Sequence, residues 1–327
     1  MKLLDLKVGD PDFCRDYWRD RLLPCSIPLS KLMAYNPMEA KLALESSIID
    51  LHDAIQNADT LKAHVVLGVG ATQILAAAMY ALKEIGAPSE IFIRKPYYYR
   101  LPDLIKFSGC TPLVRAKSHF TELVVSPNNP DNNTQHSHLT SVPDKIFDLC
   151  YNWPHYTITK KYNENIMVFS LAKCTGHASS RIGWALVKDS KIADLMNFYI
   201  EQTTGGPSVE SMIRANSIIV HLVDGHYLSD FFLSGRNKLI SRWEELKQVT
   251  NPLFKPLNSS GMFIWAEYGQ GYARQDLLFD LNIDSIDGPS SGGRMRQLRL
   301  NIGCKEADFQ ELLLRLKLPI QNTPSDT

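Results

Sequence analysis

Several features are scarce in this 327-residue sequence, and each scarcity removes a class of protein. The six cysteines, Cys14, Cys25, Cys110, Cys150, Cys174 and Cys304, never fall in a CxxC spacing. Neither a zinc site nor a small disulfide scaffold is therefore expected. No charge of one sign dominates: Lys+Arg and Asp+Glu both number 35. No net field draws the chain to nucleic acid or anionic lipid. No apolar run is long and clean enough for a membrane span. Residues 63–82, AHVVLGVGATQILAAAMYAL, come nearest, but Gly68, Gly70, Thr72 and Gln73 interrupt them, and the run reads as strand, turn and helix. The first residues, MKLLDLKVGDPDF, meet acidic side chains and Gly-Asp-Pro before an apolar signal core forms, so a cytoplasmic location is expected. Internal repeats and low-complexity tracts are absent, and only the terminal QNTPSDT reads as a disordered tail.

What is present is an ordinary globular composition, 44% hydrophobic and 21% charged. The length suffices for one large domain and a smaller one. A small-molecule enzyme or an interaction protein fits these bounds. Short apolar runs alternate with helical segments through the middle of the chain. Strands are expected at His64–Val69, Glu90–Arg94, Leu123–Val125, Lys145–Phe147, Ile166–Phe169 and Gly183–Val187, with a helix at Ile74–Leu82. This alternation implies an α/β fold with a mainly parallel sheet between helices. After about Asp230 the pattern changes to a polar amphipathic helix (Gly235–Val249), two strands (Met262–Glu267 and Gln297–Ile302) and a closing helix (Glu306–Leu316). Residues 45–234 are expected to form the large domain, and 1–44 with 235–327 a smaller α+β domain.

In such sheets ligands gather beyond the carboxyl ends of the strands. Gly70-Ala71-Thr72, Asn129, Asp148 and Lys173 all fall there, and their convergence says more than any one of them. LGVGATQ (67–73) leaves a strand and opens a helix, exposing unpaired N–H groups that suit a phosphate. It lacks the Gly-Lys-Ser/Thr of a P-loop, and a plain tight turn is the alternative. SPNNPDN (126–132) forces an irregular loop that would hold the Asn129 amide beyond the sheet, or it is a surface turn. In DKIFDLCYNWPHY (144–156), Asp148 ends an apolar strand, where a carboxylate is costly without a cation or donor. It is either a cap or the partner of a buried protonated nitrogen, with Tyr151 nearby. In VFSLAKCTGHASSRIGW (168–184), Lys173 follows a buried strand whose desolvation would lower its pKa and favour a nucleophilic amine. Ser170 and Arg181 suit an anion, and the small residues after Lys173 suggest room for a flat ring. In RMRQLRLN (294–301), strand alternation puts Met295, Gln297, Arg299 and Asn301 on the face opposite Leu298 and Leu300. Arg299 there could clamp a carboxylate with paired hydrogen bonds, or be a solvent-facing charge.

Taken together, SPNNPD, D-x-x-Y-x-WPHYTxIT and K-x-TGHAxSRIGWALVKD resemble the fold-type I enzymes dependent on pyridoxal 5′-phosphate (PLP). The similarity is to the alliinase and plant tryptophan aminotransferase group, and it runs from VGDPDF (8–13) to RLNIG (299–303). It implies a fold-type I PLP-dependent transferase, a large domain with a mainly parallel mixed sheet sandwiched by helices plus a smaller α+β domain. It further implies that Lys173 forms the Schiff base with PLP and shuttles the substrate proton. By the same resemblance Asp148 pairs with the pyridine nitrogen, and Asn129 and Tyr151 bond the ring 3-oxygen. Gly70, Ala71, Thr72, Ser170 and Arg181 hold the phosphate, and Tyr98, or alternatively Tyr97, stacks on the ring. Tyr35 reaches the phosphate of a neighbouring subunit, so a homodimer is implied. Arg299 binds the substrate carboxylate, with Gly9 and Asn129 lining that end. No metal is implied.

The pattern departs from the family at Ala71 and Ala172, where serine is common, and at the missing glycine after SPNNPDN. The implied activity is an aminotransferase moving an amino group from an L-amino acid, with an aromatic donor expected, to a 2-oxo acid by a ping-pong mechanism. The alternative is an alliinase-type carbon–sulfur lyase acting on a cysteine derivative by β-elimination. The shorter chain without the cysteine-rich alliinase module favours transfer. A binding protein without turnover is a third reading, opposed by the joint presence of Lys173, Asp148, Arg181 and Arg299.

Overall fold

The computed structural model of the chain describes residues 2–21, 27, 32–33, 38–116, 118–137, 145–156, 160–249, 251–269, 271 and 273–318. At its centre is a seven-stranded sheet in the order His64–Val69, Ile182–Val187, Ile166–Ser170, Lys145–Asp148, Thr121–Val125, Glu90–Ile93, Thr111–Leu113. Ile182–Val187 is antiparallel to both of its neighbours, and the remaining pairs are parallel. The sheet is therefore mixed and mainly parallel, the α/β class expected.

Side-chain alternation explains why this sheet needs helices on both faces. In Ile166–Ser170, Met167 and Phe169 join one core with Leu67, Phe147 and Trp184. Ile166 and Val168 join another with Val66, Ile146 and Ala185. Successive residues point to opposite faces, and both faces are apolar, as in a sheet covered twice. Helices Met38–Ile55 and Val209–Val223 cover the first face, and Gly70–Glu84 and Ser190–Thr204 the second. Their ends have local causes. Asp189 accepts a hydrogen bond from the Ile192 amide at the start of Ser190–Thr204, and Gly205 closes it in the left-handed conformation at φ 69°.

An antiparallel sheet, Ile286–Asp287, Gln297–Asn301, Phe263–Tyr268 and Phe254–Pro256, carries a separate core. Leu4–Asp5 pairs in parallel with Ile283–Asp284, bringing the amino-terminal residues to this part of the molecule. The closing helix Glu306–Leu316 has the bounds expected. The helix expected from Gly235 instead runs Leu228–Lys247. Its first turns bury Phe231 and Phe232, and Gly235 lies inside it because a Cβ there would meet Phe13 and His155 at 3.0–3.1 Å. The glycine serves a close approach, not a helix start. Arg294–Arg296 precede the strand that begins at Gln297, so the alternation expected from Arg294 holds only for Gln297–Asn301, and Met295 is exposed. Among the described residues, no helix is long and apolar enough to cross a membrane.

Candidate active site

The expected residues meet at one edge of the seven-stranded sheet. Asp148 and Ser170 are the last residues of their strands, and Gly70 follows His64–Val69 directly. Arg181 reaches the same edge because the strand it precedes runs the opposite way: Ile182 pairs with Val69, and Gly183 with both Gly68 and Ser170. The crossing of these strands is tight. A Cβ on Gly183 would collide with the Gly70 carbonyl carbon and the Ala71 nitrogen. Gly70 is in the left-handed region at φ 76°, and a Cβ there would enter the Arg181 guanidinium. The two glycines thus let the start of helix Gly70–Glu84, where Gln73 Oε1 accepts only from the Val69 amide at 2.7 Å, approach Arg181. Gly70 is buried, Ala71 half-buried and Thr72 exposed, while Arg181 is solvent-accessible. Gly183→Ala is expected to destabilise the fold by about 1–3 kcal/mol through overpacking, read by denaturant unfolding, and to weaken cofactor retention with it.

Lys173 sits in the single helical turn Leu171–Cys174 after Ser170. Its Nζ donates to the Gly9 carbonyl. Burial, the largest influence, pulls its pKa down to about 8; Arg299 and Arg181 also lower it, against raising effects of Cys150 and Asp10. The site thus holds an amine that is neutral in a large share of molecules just above physiological pH. One of the small residues after Lys173 has a use in packing. Gly176, at φ 89°, packs where a Cβ would meet Cys14 at 3.0 Å, and the Thr175 carbonyl accepts from Trp18 Nε1 at 2.9 Å. Gly176 thus makes room for residues 11–18.

Opposite the lysine, a chain of polar groups links the two ends of the site. The Asn129 amide donates to the Tyr151 hydroxyl at 3.2 Å, and Arg299 Nη1 donates to Asn129 Oδ1 at 3.0 Å. Arg299 Nη2 donates to the Lys7 carbonyl. The guanidinium also lies 4.3 Å from the ring centre of Phe263 and 5.6 Å from that of Tyr99. Arg299 is buried, its Nε has no hydrogen-bond partner, and no carboxylate pairs with it among the described residues. Burial lowers its pKa, opposed by Tyr151, Tyr98 and Tyr99. Asp148 is likewise buried, accepts from the Cys150 amide at 3.1 Å, and has its pKa raised chiefly by desolvation. Among the described residues neither the buried carboxylate nor the buried guanidinium has an ion-pair partner, and both suit partners of opposite charge.

The neighbouring tyrosines separate. Tyr98 interacts electrostatically with Asp148 and Arg299, whereas Tyr97 packs where a Cβ on Gly292 would meet its ring at 2.7 Å. Gly9 lies against Lys173 and Phe263, with 3.2 Å from its would-be Cβ to the Phe263 ring. Tyr35 lies outside the described residues. Phe263, Tyr99 and His155 also belong to this region, and sequence reasoning assigned them nothing. His155, within the WPHY motif, bonds the Lys173 carbonyl through Nε2 at 3.0 Å. Its place in a quoted motif was the available signal; Phe263 had none beyond its strand.

The family model Alliinase_C, described as allinase, matches residues 4–320. The chain belongs to the alliinase family. Among its relatives is the Oryza sativa (japonica) protein named tryptophan aminotransferase-related protein 1, 34% identical, with 75% of this chain and 63% of that one covered. The alliin lyase of Allium cepa is 25% identical over 97% of this chain and 76% of that protein. This alliinase-family chain spans only about three-fifths of the length of three tryptophan aminotransferase-related proteins that it matches, at 59–63%. A solved aromatic aminotransferase of Pyrococcus horikoshii superposes with a TM-score of 0.74 at 16% identity, covering 96% of this chain and 95% of that one. The fold is that of the fold-type I, PLP-dependent aminotransferases.

Both the alliinase and the fold-type I aminotransferase families use PLP. The donor set fits that group. Helix amides beside Arg181 suit a phosphate, and the buried Asp148 carboxylate, raised in pKa by desolvation, suits a protonated ring nitrogen. Lys173 supplies an amine within the same enclosure.

Proposed function

We propose that the protein is a PLP-dependent aminotransferase that takes the amino group of an L-amino acid, preferably aromatic, and passes it to a 2-oxo acid in a ping-pong cycle. What carries the reading is the pairing of a lowered-pKa lysine with a buried guanidinium that has no carboxylate of its own. The higher identity to the tryptophan aminotransferase-related protein, 34% against 25% for the alliin lyase, supports transfer over elimination. The aromatic donor is supported by the rings of Phe263 and Tyr99 around Arg299.

When bound, the cofactor supplies an electron sink for the pair left at the substrate α-carbon. Lys173 would hold it covalently and, once released, carry the α-proton. Asp148 would face the ring nitrogen, and Asn129 and Tyr151 the ring oxygen. Gly70, Ala71, Thr72, Ser170 and Arg181 would hold the phosphate, and Tyr98 would stack on the ring. Arg299, with Gly9 and Asn129 at its side, would bind the substrate carboxylate. Because Arg299 is already fixed by Asn129 and Lys7, little ordering is left to do when a carboxylate arrives. We further propose a homodimer in which Tyr35 serves the neighbouring site. Residues 45–234 would form the large domain and 1–44 with 235–327 the small one, joined through helix Leu228–Lys247.

The test is a screen of single amino acids without an acceptor. Transfer releases at most one equivalent of 2-oxo acid per site until an acceptor is added. Continuous release of pyruvate and ammonia from cysteine derivatives, with no acceptor present, would instead establish the lyase.

A further inference from the structure

Asn301 has no part in the chemistry described so far, yet its amide is fully engaged beside the site. It is 2% exposed and lies two positions beyond Arg299 on the same strand face. Its Nδ2 donates to the Val8 carbonyl at 2.7 Å and to the Asp10 carbonyl at 3.0 Å, while Oδ1 accepts from the Gly303 amide at 2.7 Å. Its own amide donates to the Leu6 carbonyl at 3.0 Å. The two carbonyls left between these bonds are the ones that the cations of the site use. Lys7 receives Arg299, and Gly9 receives Lys173.

Apart from the ion pair of Lys7 with Asp284 at 2.5 Å, side chains do little to hold this segment. Leu6 is buried before it and Pro11 and Phe13 after it, but Val8 and Asp10 are exposed and Lys7 and Gly9 only half-buried. A side chain at Gly9 would press on Phe263. Beyond Lys7, hydrogen bonds to its carbonyls therefore fix the path. A buried amide at position 301 is costly unless its donors are used, and here they are spent on the two carbonyls flanking Gly9.

We propose that Asn301 is a positioning residue: its carboxamide pins residues 8–10 as a strap, so that the Gly9 carbonyl faces Lys173 and the Lys7 carbonyl faces Arg299. Its consequence for turnover rests on the reading of Lys173 and Arg299 given above; the pinning itself does not.

The test uses Asn301→Asp, which keeps the shape but loses both donors, and Asn301→Ala, in the full chain. Hydrogen exchange in the strap, residues 6–13, should quicken about ten- to a hundredfold, while the strand Ile166–Ser170 stays as protected as in the parent. With PLP added, the KM for the amino acid should rise about tenfold, more than kcat falls, because Arg299 loses its hold on Lys7. If either variant folds with unchanged strap exchange, or if neither folds, the assignment is overturned. A loosened strap with unchanged KM also removes the positioning role. The exchange measurement needs no cofactor, so its failure is distinguishable from a failure of the PLP reading, which would show as a parent protein without lysine-linked absorbance.

Discussion

Lys173→Ala is expected to abolish covalent retention of PLP and to reduce amino-acid turnover by about 10²–10⁴-fold or more, the range for removing a positioned proton-transfer group together with a nucleophile. The readouts are the lysine-linked absorbance band and the initial rate. The fold should survive. Burial lowers the Lys173 pKa from 10.5 to about 8, so between those values the unfolded chain binds more protons than the folded one. Stability from this group therefore rises with pH across that window, and below about pH 8 the folded state carries the full desolvation cost of the ammonium. Alanine removes that cost. At pH 7 the variant's thermal midpoint should consequently lie no lower than the parent's, separating a site role from a structural one. In the cofactor-free parent, labelling of Lys173 by a small acylating reagent should rise through about pH 8, well below the range of surface lysines. A variant that kept a tenth of the parental rate would remove Lys173 from the chemistry.

Much of this site was legible because its residues stand at punctuation points of the sequence. Asp148, Ser170 and Gly70 each end or follow a short apolar run, and a strand's end in a mainly parallel sheet is a position in space as well as in sequence. Helix Gly70–Glu84 was recognisable from its apolar middle, although its first turn was not, because Gly70 to Gln73 carry no helical pattern. Other features depended on long-range contacts that local pattern does not encode. The small residues after Lys173 suggest room for a flat ring, but the pattern does not show that Gly176 also admits Cys14 at 3.0 Å from its would-be Cβ. Gly235 looked like a boundary and proved to be a contact with Phe13 and His155. Phe263 and Lys7 enter the site only because two sheets and an amino-terminal strap come together. The alternation around Arg299 did identify the face it shares with Asn301, but not what that face meets.

Removing the Arg299 guanidinium is expected to weaken amino-acid binding by about 2–4 kcal/mol, roughly 30- to 1,000-fold, as for truncating one member of a buried charge pair. The loss should appear in KM and kcat/KM for amino acids and be nearly absent for amines that lack a carboxylate. Arg299→Lys should recover only part of it. A lysine keeps the charge but cannot donate in parallel to a carboxylate while also reaching both Asn129 Oδ1 and the Lys7 carbonyl, as the guanidinium does. The same bonds predict a second effect. Asn129 Oδ1 loses its donor in Arg299→Ala, which frees the amide that donates to the Tyr151 hydroxyl at 3.2 Å. The pH at which the lysine-linked absorbance changes should therefore shift in Arg299→Ala even without substrate. An unchanged affinity for amino-acid carboxylates would dismiss the clamp. An unchanged spectrum with weakened affinity would keep the clamp and show that Asn129 holds Tyr151 without help from Arg299.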